Sequence, residues 1–152
     1  VYFIERGGDA TYHGPGQLVG YPIISLEEAK IDVVTLVRNI EEVLIKTASD
    51  FEITAGRVEK KPGIWVDGKK LASIGIAVQH WISFHGFALN VNTNLKKFYT
   101  IKPCGMEPST MTSMQEILGK KVSFDNVKKN IIKNFKDVFD AEIAEEPIPL
   151  AF

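Results

Sequence analysis

One cysteine, fifteen lysines and three histidines supply most of the chain's capacity for covalent and proton-transfer chemistry. Cys104 stands between Pro103 and Gly105, neighbours that break regular structure and leave the backbone around a nucleophile accessible. A free cysteine also packs well as a small buried hydrophobe, and the residues alone leave both roles open. A thiol at its reference pKa of about 8.5 is only a few per cent thiolate at neutral pH, so nucleophilic work requires a cation or base beside it. Lysine and histidine are the available kinds. Lys70 opens the apolar run Lys70-Leu71-Ala72-Ser73-Ile74-Gly75, a slight distinction that would not single it out among the lysines. His13 sits among glycines, where a side chain can meet a ligand closely approached by backbone N–H groups. His85 falls on an alternating strand, and His80 adjoins Trp81 at a surface or hairpin position. None of the three has metal-site spacing to another histidine or to Cys104, so no metal is expected. Arg6-Gly7-Gly8 fits neither G-x-G-x-x-G nor the Walker pattern.

The elements that must position these groups follow from periodicity. Val1 to Ile4 is a short strand-like run, followed by Arg6 to Gln17 with four glycines and a proline, a density that breaks regular structure. Leu18 to Ile24 reads as a strand. From Asp32, placed as an N-cap, Val33, Leu36, Val37, Ile40, Val43, Leu44, Ala48 and Phe51 recur at helical spacing to about Asp50. Ile64 to Val66 and Leu71 to Val78 read as a hairpin on the type I′ turn Asp67-Gly68. Ile74, Ile76 and Val78 alternate as one buried face requires. In the strand Ile82 to Val91, His85, Phe87, Leu89 and Val91 share one face, and Gly86, Ala88 and Asn90 the other. Lys96 to Gly105 is expected to be irregular, with helices at Thr112 to Leu118 and Phe124 to Phe139. Strands grouped beside helices predict an α+β domain over residues 1–140, with an acidic, loose tail at 141–152.

Composition narrows the class. The 152 residues are one domain's length, and 45% hydrophobic with 24% charged residues excludes disorder and collagen-like structure. A formal net charge of -1 argues against a general nucleic-acid binder. No apolar run approaches the roughly 18 residues of a membrane span, and Val1 to Ile4 is too short for a signal-peptide core. A lone cysteine forms no internal disulfide, so a reducing, cytoplasmic compartment is expected.

Four ordered stretches raise the specificity: Arg6 to Ile23 (R-G-G-D-A-T-Y-H-G-P-G-Q-L-V-G-Y-P-I), Gly68 to Gly75 (G-x-K-L-A-S-I-G), Phe84 to Asn92 (F-H-G-F-A-L-N-V-N) and Ile101 to Gly105 (I-x-P-C-G). Together they closely resemble the lipoyl(octanoyl) transferases, also called the lipoate-protein ligase B family. The resemblance implies a biotin/lipoate protein ligase-type domain, with a mixed or antiparallel sheet flanked by helices. It implies transfer of an octanoyl group from the thioester of acyl carrier protein to a lysine amine of a lipoyl domain, with no cofactor. The acceptors it implies are the lipoyl domains of 2-oxoacid dehydrogenase E2 subunits and the glycine cleavage H protein. By this resemblance Cys104 is the nucleophile that becomes the acyl-enzyme, and Lys70 lowers its pKa and serves as acid and base. Arg6, Gly7, Gly8, Asp9, Ala10, Thr11, Tyr12 and His13 match segments lining the acyl site. So do Ser73, Ile74 and Gly75 and the run His85, Gly86, Phe87 and Ala88, while Tyr21 matches a pocket-side position.

The chain departs from the family pattern at two places. Met106-Glu107-Pro108-Ser109 follows the cysteine where many members have another glycine. Strands and a helix that precede Arg6 in the family are not found here, so the expectation is a fragment, or an enzyme completed by a separate N-terminal segment or chain. Two other functions are weighed: an ATP-dependent lipoate ligase of the same fold, and a non-catalytic module that binds acyl groups or carriers. Nine lysines against Glu107, Glu116 and Asp125 between Lys96 and Lys136 would suit steering of acidic partners, or form a solvated helix face.

Overall fold

In the computed structural model, residues 11–100 and 107–142 are described. The strand expected at Val1 to Ile4, the run Arg6 to Ala10, Cys104 and the tail from residue 143 lie outside them. The described residues form β1 (Gln17–Gly20), α1 (Leu26–Ala29), α2 (Val33–Ser49), β2 (Gly56–Val58), β3 (Lys61–Val66), β4 (Lys69–Gln79), β5 (Ile82–Asn90), α3 (Met114–Leu118) and α4 (Phe124–Phe139). Short 3-10 turns occupy Leu95–Thr100 and Pro108–Thr110.

The strands make one antiparallel sheet in the order β1-β5-β4-β3-β2. The β3–β4 turn is the expected Asp67-Gly68, with φ of 48° and 76°, the paired positive values that a type I′ turn requires. His80 and Trp81 turn β4 into β5 with φ of 49° and 63°, which places His80 in a hairpin as expected.

Helix α2 follows its period. Asp32 caps it by accepting a 2.7 Å hydrogen bond from the Thr35 N–H, and Leu36, Ile40, Val43, Leu44 and Ala48 point into the core. Helix α4 adds Val127 and Ile131, and the sheet adds Leu18, Ile64, Leu71, Ala72, Phe87 and Leu89. Burying each of these larger apolar side chains stabilises the fold by about 1.5–3 kcal/mol. The Asn134 amide joins the two helices by donating to Thr47 Oγ1 and Asp50 Oδ2.

Three boundaries differ from the sequence reading. The strand expected to reach Ile24 stops at Gly20, because the chain leaves the sheet at Tyr21-Pro22 and Pro22 has no N–H to continue a ladder. Residues 95–100, expected to be irregular, wind into 3-10 turns. Strand β2 and helix α1 are short elements whose lengths give no periodic signal.

Candidate active site

The two faces of β4 are not set by simple alternation. Gly63 pairs with Ser73 and Ile64 with Ala72, but the next residue of β3, Trp65, pairs with Lys70. Leu71 is therefore an extra residue, a β-bulge that shifts the pleat by one position. Leu71 and Ala72 both enter the core, and Lys70 falls on the opposite face with Ser73 and Gly75. Without the bulge the lysine would share the face of Ala72 and Ile74.

Lys70 is 4% exposed. Its Nζ lies 5.3 Å from the ring centroid of Trp65, its cross-strand neighbour, within the distance of a cation–π contact. Gly63 makes the space for its aliphatic stem. Its φ is 121°, and a Cβ there would strike Ala72 O and sit 2.9 Å from Lys70 Cε. Gly63 is held in turn from the helix side, where its N–H donates to Oε1 of buried Glu41 (3.1 Å). The other Glu41 oxygen accepts from Arg38 and Arg57.

The chain after the Pro-Cys-Gly segment returns to this lysine. Met111 bridges Lys70 in parallel, and the Thr112 N–H donates to Lys70 O at 3.0 Å. On its other side Thr112 O accepts from Asn90 Nδ2 at 2.9 Å, and Gln115 N–H donates to Val91 O. Residues 111–113 are thus seated across β4 and β5, and all three are buried.

The register β4–β5 pairs Ser73 with Ala88 and Gly75 with Gly86, so these four small residues share the lysine's face. Gly86 permits a close backbone approach, since a Cβ there would strike Gly20 O and come within 2.6 Å of Pro22 Cδ. Ile74 and Phe87 pair on the opposite face and pack with the core. His85 departs from the pleat. Its φ is 62°, and its ring lies 4.9 Å from that of Phe84, a neighbour that regular alternation would put on the other face.

The glycine-rich segment reaches the same sheet through Gln17. Its Nε2 donates to Asn90 Oδ1 (2.9 Å) and Tyr12 O (3.1 Å), and its Oε1 accepts from Gly14 N–H and faces His13 Nδ1 at 3.2 Å. The Tyr12 ring packs edge-on against Phe98. Thr11 is half-buried, and Tyr21 is 62% exposed beyond the end of β1. Cys104 and Arg6 to Ala10 are outside the described residues. Among the described residues no cluster of three or more His, Cys, Asp or Glu side chains could hold a metal ion, and no helix is long and apolar enough to cross a membrane.

Sequence reasoning did not single out Gly63, Trp65, Gln17, Asn90 or Thr112. One signal was visible for the bulge: Leu71 is out of phase with Ile74, Ile76 and Val78. Asn90 already stood on the face of Gly86 and Ala88, as a polar residue near the end of an apolar strand.

Residues 1–136 match the lipoyl protein ligase A/B catalytic domain. The chain belongs to that family. An octanoyltransferase of Alkaliphilus metalliredigens is 48% identical to it over 146 residues, which is 95% of this chain and 67% of that protein. Across octanoyltransferases of this kind the chain spans between 44% and 70% of the relative's length. In fold, it is similar to a lipoate-protein ligase A solved with ATP, at TM-score 0.72 and 19% identity, over 96% of this chain and 61% of that one. It is also similar to the biotin protein ligase of Aquifex aeolicus, at TM-score 0.66 and 16% identity, over 82% of this chain and 53% of that one. The α+β, biotin/lipoate ligase-type fold expected from the motifs is therefore the observed one.

Proposed function

We propose that this chain carries the catalytic portion of an octanoyltransferase that works through an acyl-enzyme on Cys104. The observation that carries the reading is the buried lysine: a bulge, a glycine and a tryptophan place Lys70 against Met111 and Thr112, a few residues after Cys104 in the sequence. A buried amine beside a nucleophile can shift between its two protonation states, as acid–base work requires. The name shared by the relatives supports the acyl group.

In the first step the Cys104 thiolate attacks the carbonyl carbon of an octanoyl thioester on acyl carrier protein. A new C–S bond forms, the carrier's C–S bond breaks, and the carrier thiolate takes up a proton. One thioester replaces another, so the step is close to energy-neutral and needs no ATP. In the second step a lysine amine of a lipoyl domain attacks the same carbon. The amide forms, the enzyme's C–S bond breaks, and the nitrogen's proton passes to Lys70 or to the departing sulfur. As an ammonium, Lys70 favours the ionised sulfur in the first step; it gives its proton to the departing carrier thiolate and, now neutral, accepts the amine's proton in the second. The lipoyl domains of 2-oxoacid dehydrogenases and the H protein are the acceptors under this reading, in the cytoplasm.

Incubation of the chain with octanoyl-acyl carrier protein, without ATP, should add one octanoyl group by intact mass, and Cys104→Ser should lose it. Absence of the adduct from folded protein, with any N-terminal segment restored, overturns the reading. An absolute ATP requirement for modification of a lipoyl domain would assign the chain to the ligases.

A further inference from the structure

The hydrogen bonds around Gln17 have only one consistent direction. Thr112 O can only accept, so the Asn90 group facing it must be the NH2, which turns Asn90 Oδ1 toward Gln17. Gln17 must then present its NH2 to that oxygen, and the same NH2 donates to Tyr12 O, again an obligate acceptor. Gln17 Oε1 is thereby turned to Gly14 N–H, an obligate donor, and to His13 Nδ1. Backbone groups at both ends enforce the same polarity. Facing an oxygen that can only accept, Nδ1 must carry a proton.

We propose that Gln17 and Asn90 are positioning residues which hold neutral His13 as its Nδ1–H tautomer and so present Nε2 as a hydrogen-bond acceptor to the incoming amine. This rests on the octanoyltransferase reading for the identity of the donor. Of the two reacting groups, the thioester offers a carbonyl oxygen, which a lone pair repels, and the lysine amine offers N–H groups. His13 is exposed, so Nε2 is open to a partner domain. The relay therefore serves the second step: Nε2 orients the amine so that its nitrogen lone pair faces the acyl carbon, and the proton leaves as described above. The chain of bonds ends on Thr112, whose N–H is bonded to Lys70 O, so the amine-orienting group and the acid–base lysine share one hydrogen-bonded frame.

Imidazole nitrogen spectra of the full chain labelled with 15N, with His13 assigned by its loss in His13→Gln, read the tautomer directly. Wild type should show protonated Nδ1 and bare Nε2 in the neutral ring. Gln17→Met should move His13 toward the Nε2–H form, whereas Gln17→Glu, which keeps an oxygen facing Nδ1, should retain Nδ1–H. In Gln17→Met, transfer of octanoyl to the lipoyl domain should fall about 10-fold or more, with adduct formation slowed by less than about 3-fold. An Nε2–H ring in wild type, an unchanged tautomer in Gln17→Met, or equal slowing of both steps overturns the proposal. A wild-type chain with the expected spectrum but no octanoyl adduct, any N-terminal segment being restored, overturns the transferase reading instead, and leaves the tautomer standing.

Discussion

The two faces of the sheet are built on different rules. The face under α2 and α4 is made of Leu18, Ile64, Leu71, Ala72, Phe87 and Leu89, apolar residues that, Leu71 at the bulge apart, follow the strand period. The other face carries Lys70, Ser73, Gly75, Gly86, Ala88, Gln17 and Asn90. It depends on departures from regular geometry: a bulge, a glycine at positive φ and a polarised run of amides. The first face supplies stability through apolar area, which tolerates small shifts in shape. The second places a few polar atoms, and a misplacement of about 1 Å there costs a large factor in rate.

Substitutions on each face should separate these roles. Lys70→Met keeps the volume of the stem and removes the amine, and octanoyl transfer should fall about 10²- to 10⁴-fold while thermal unfolding stays cooperative. Loss of the cooperative transition in that variant would assign the lysine to the fold instead. Leu44→Ala, on the helix side, should destabilise by about 2–5 kcal/mol in denaturant titrations, with the rate per folded molecule retained. Gly63→Ala joins the two faces. Its strained φ should cost about 1–3 kcal/mol, and its Cβ should displace Lys70 Cε, so stability and transfer rate should fall together. A variant that loses stability alone would show that the lysine stem is not held by that gap.

The smallest effect belongs to Asp32, far from the site. Hydrogen bonds from the Thr35 side chain and then its backbone N–H hold the Asp32 carboxyl below its ordinary pKa. A depressed pKa adds stability above the unfolded value and loses it as pH falls through the folded one. The melting-temperature gap between wild type and Asp32→Ala should therefore be present at neutral pH and begin to close below about pH 4. A gap independent of pH would remove the charge from the cap's contribution.

The helix-side face was legible in the sequence because burial repeats. Asp32 to Asp50 and Phe124 to Phe139 were bounded within a residue or two, since a cap at one end and a period of 3.6 along the length reinforce each other. Asp67-Gly68 was legible because few residue pairs accept two positive φ values. Of the site, Gly86 and Ala88 were placed on one face by alternation, and Ser73 and Gly75 were joined to them by the motif resemblance. His85 was not, because its positive φ is imposed by the surrounding sheet on a residue that does not favour it. Gly63 and Trp65 went unnoticed because they meet Lys70 only through the shifted register of the hairpin, and Gln17 because its partner Asn90 is distant in sequence. The motif resemblance named Lys70, but the bulge is what accounts for its position.

The bulge at Leu71 also means that the lysine's place depends on parity. Transposing the neighbours, Lys70→Leu with Leu71→Lys, would leave composition, charge and hydropathy untouched and send the amine into the oily side of the sheet. Removing one residue there would do the same to everything on its flank. Scanning by substitution reads the side chains of β4 one at a time, whereas its function is also written in their count, which only insertions and deletions can read.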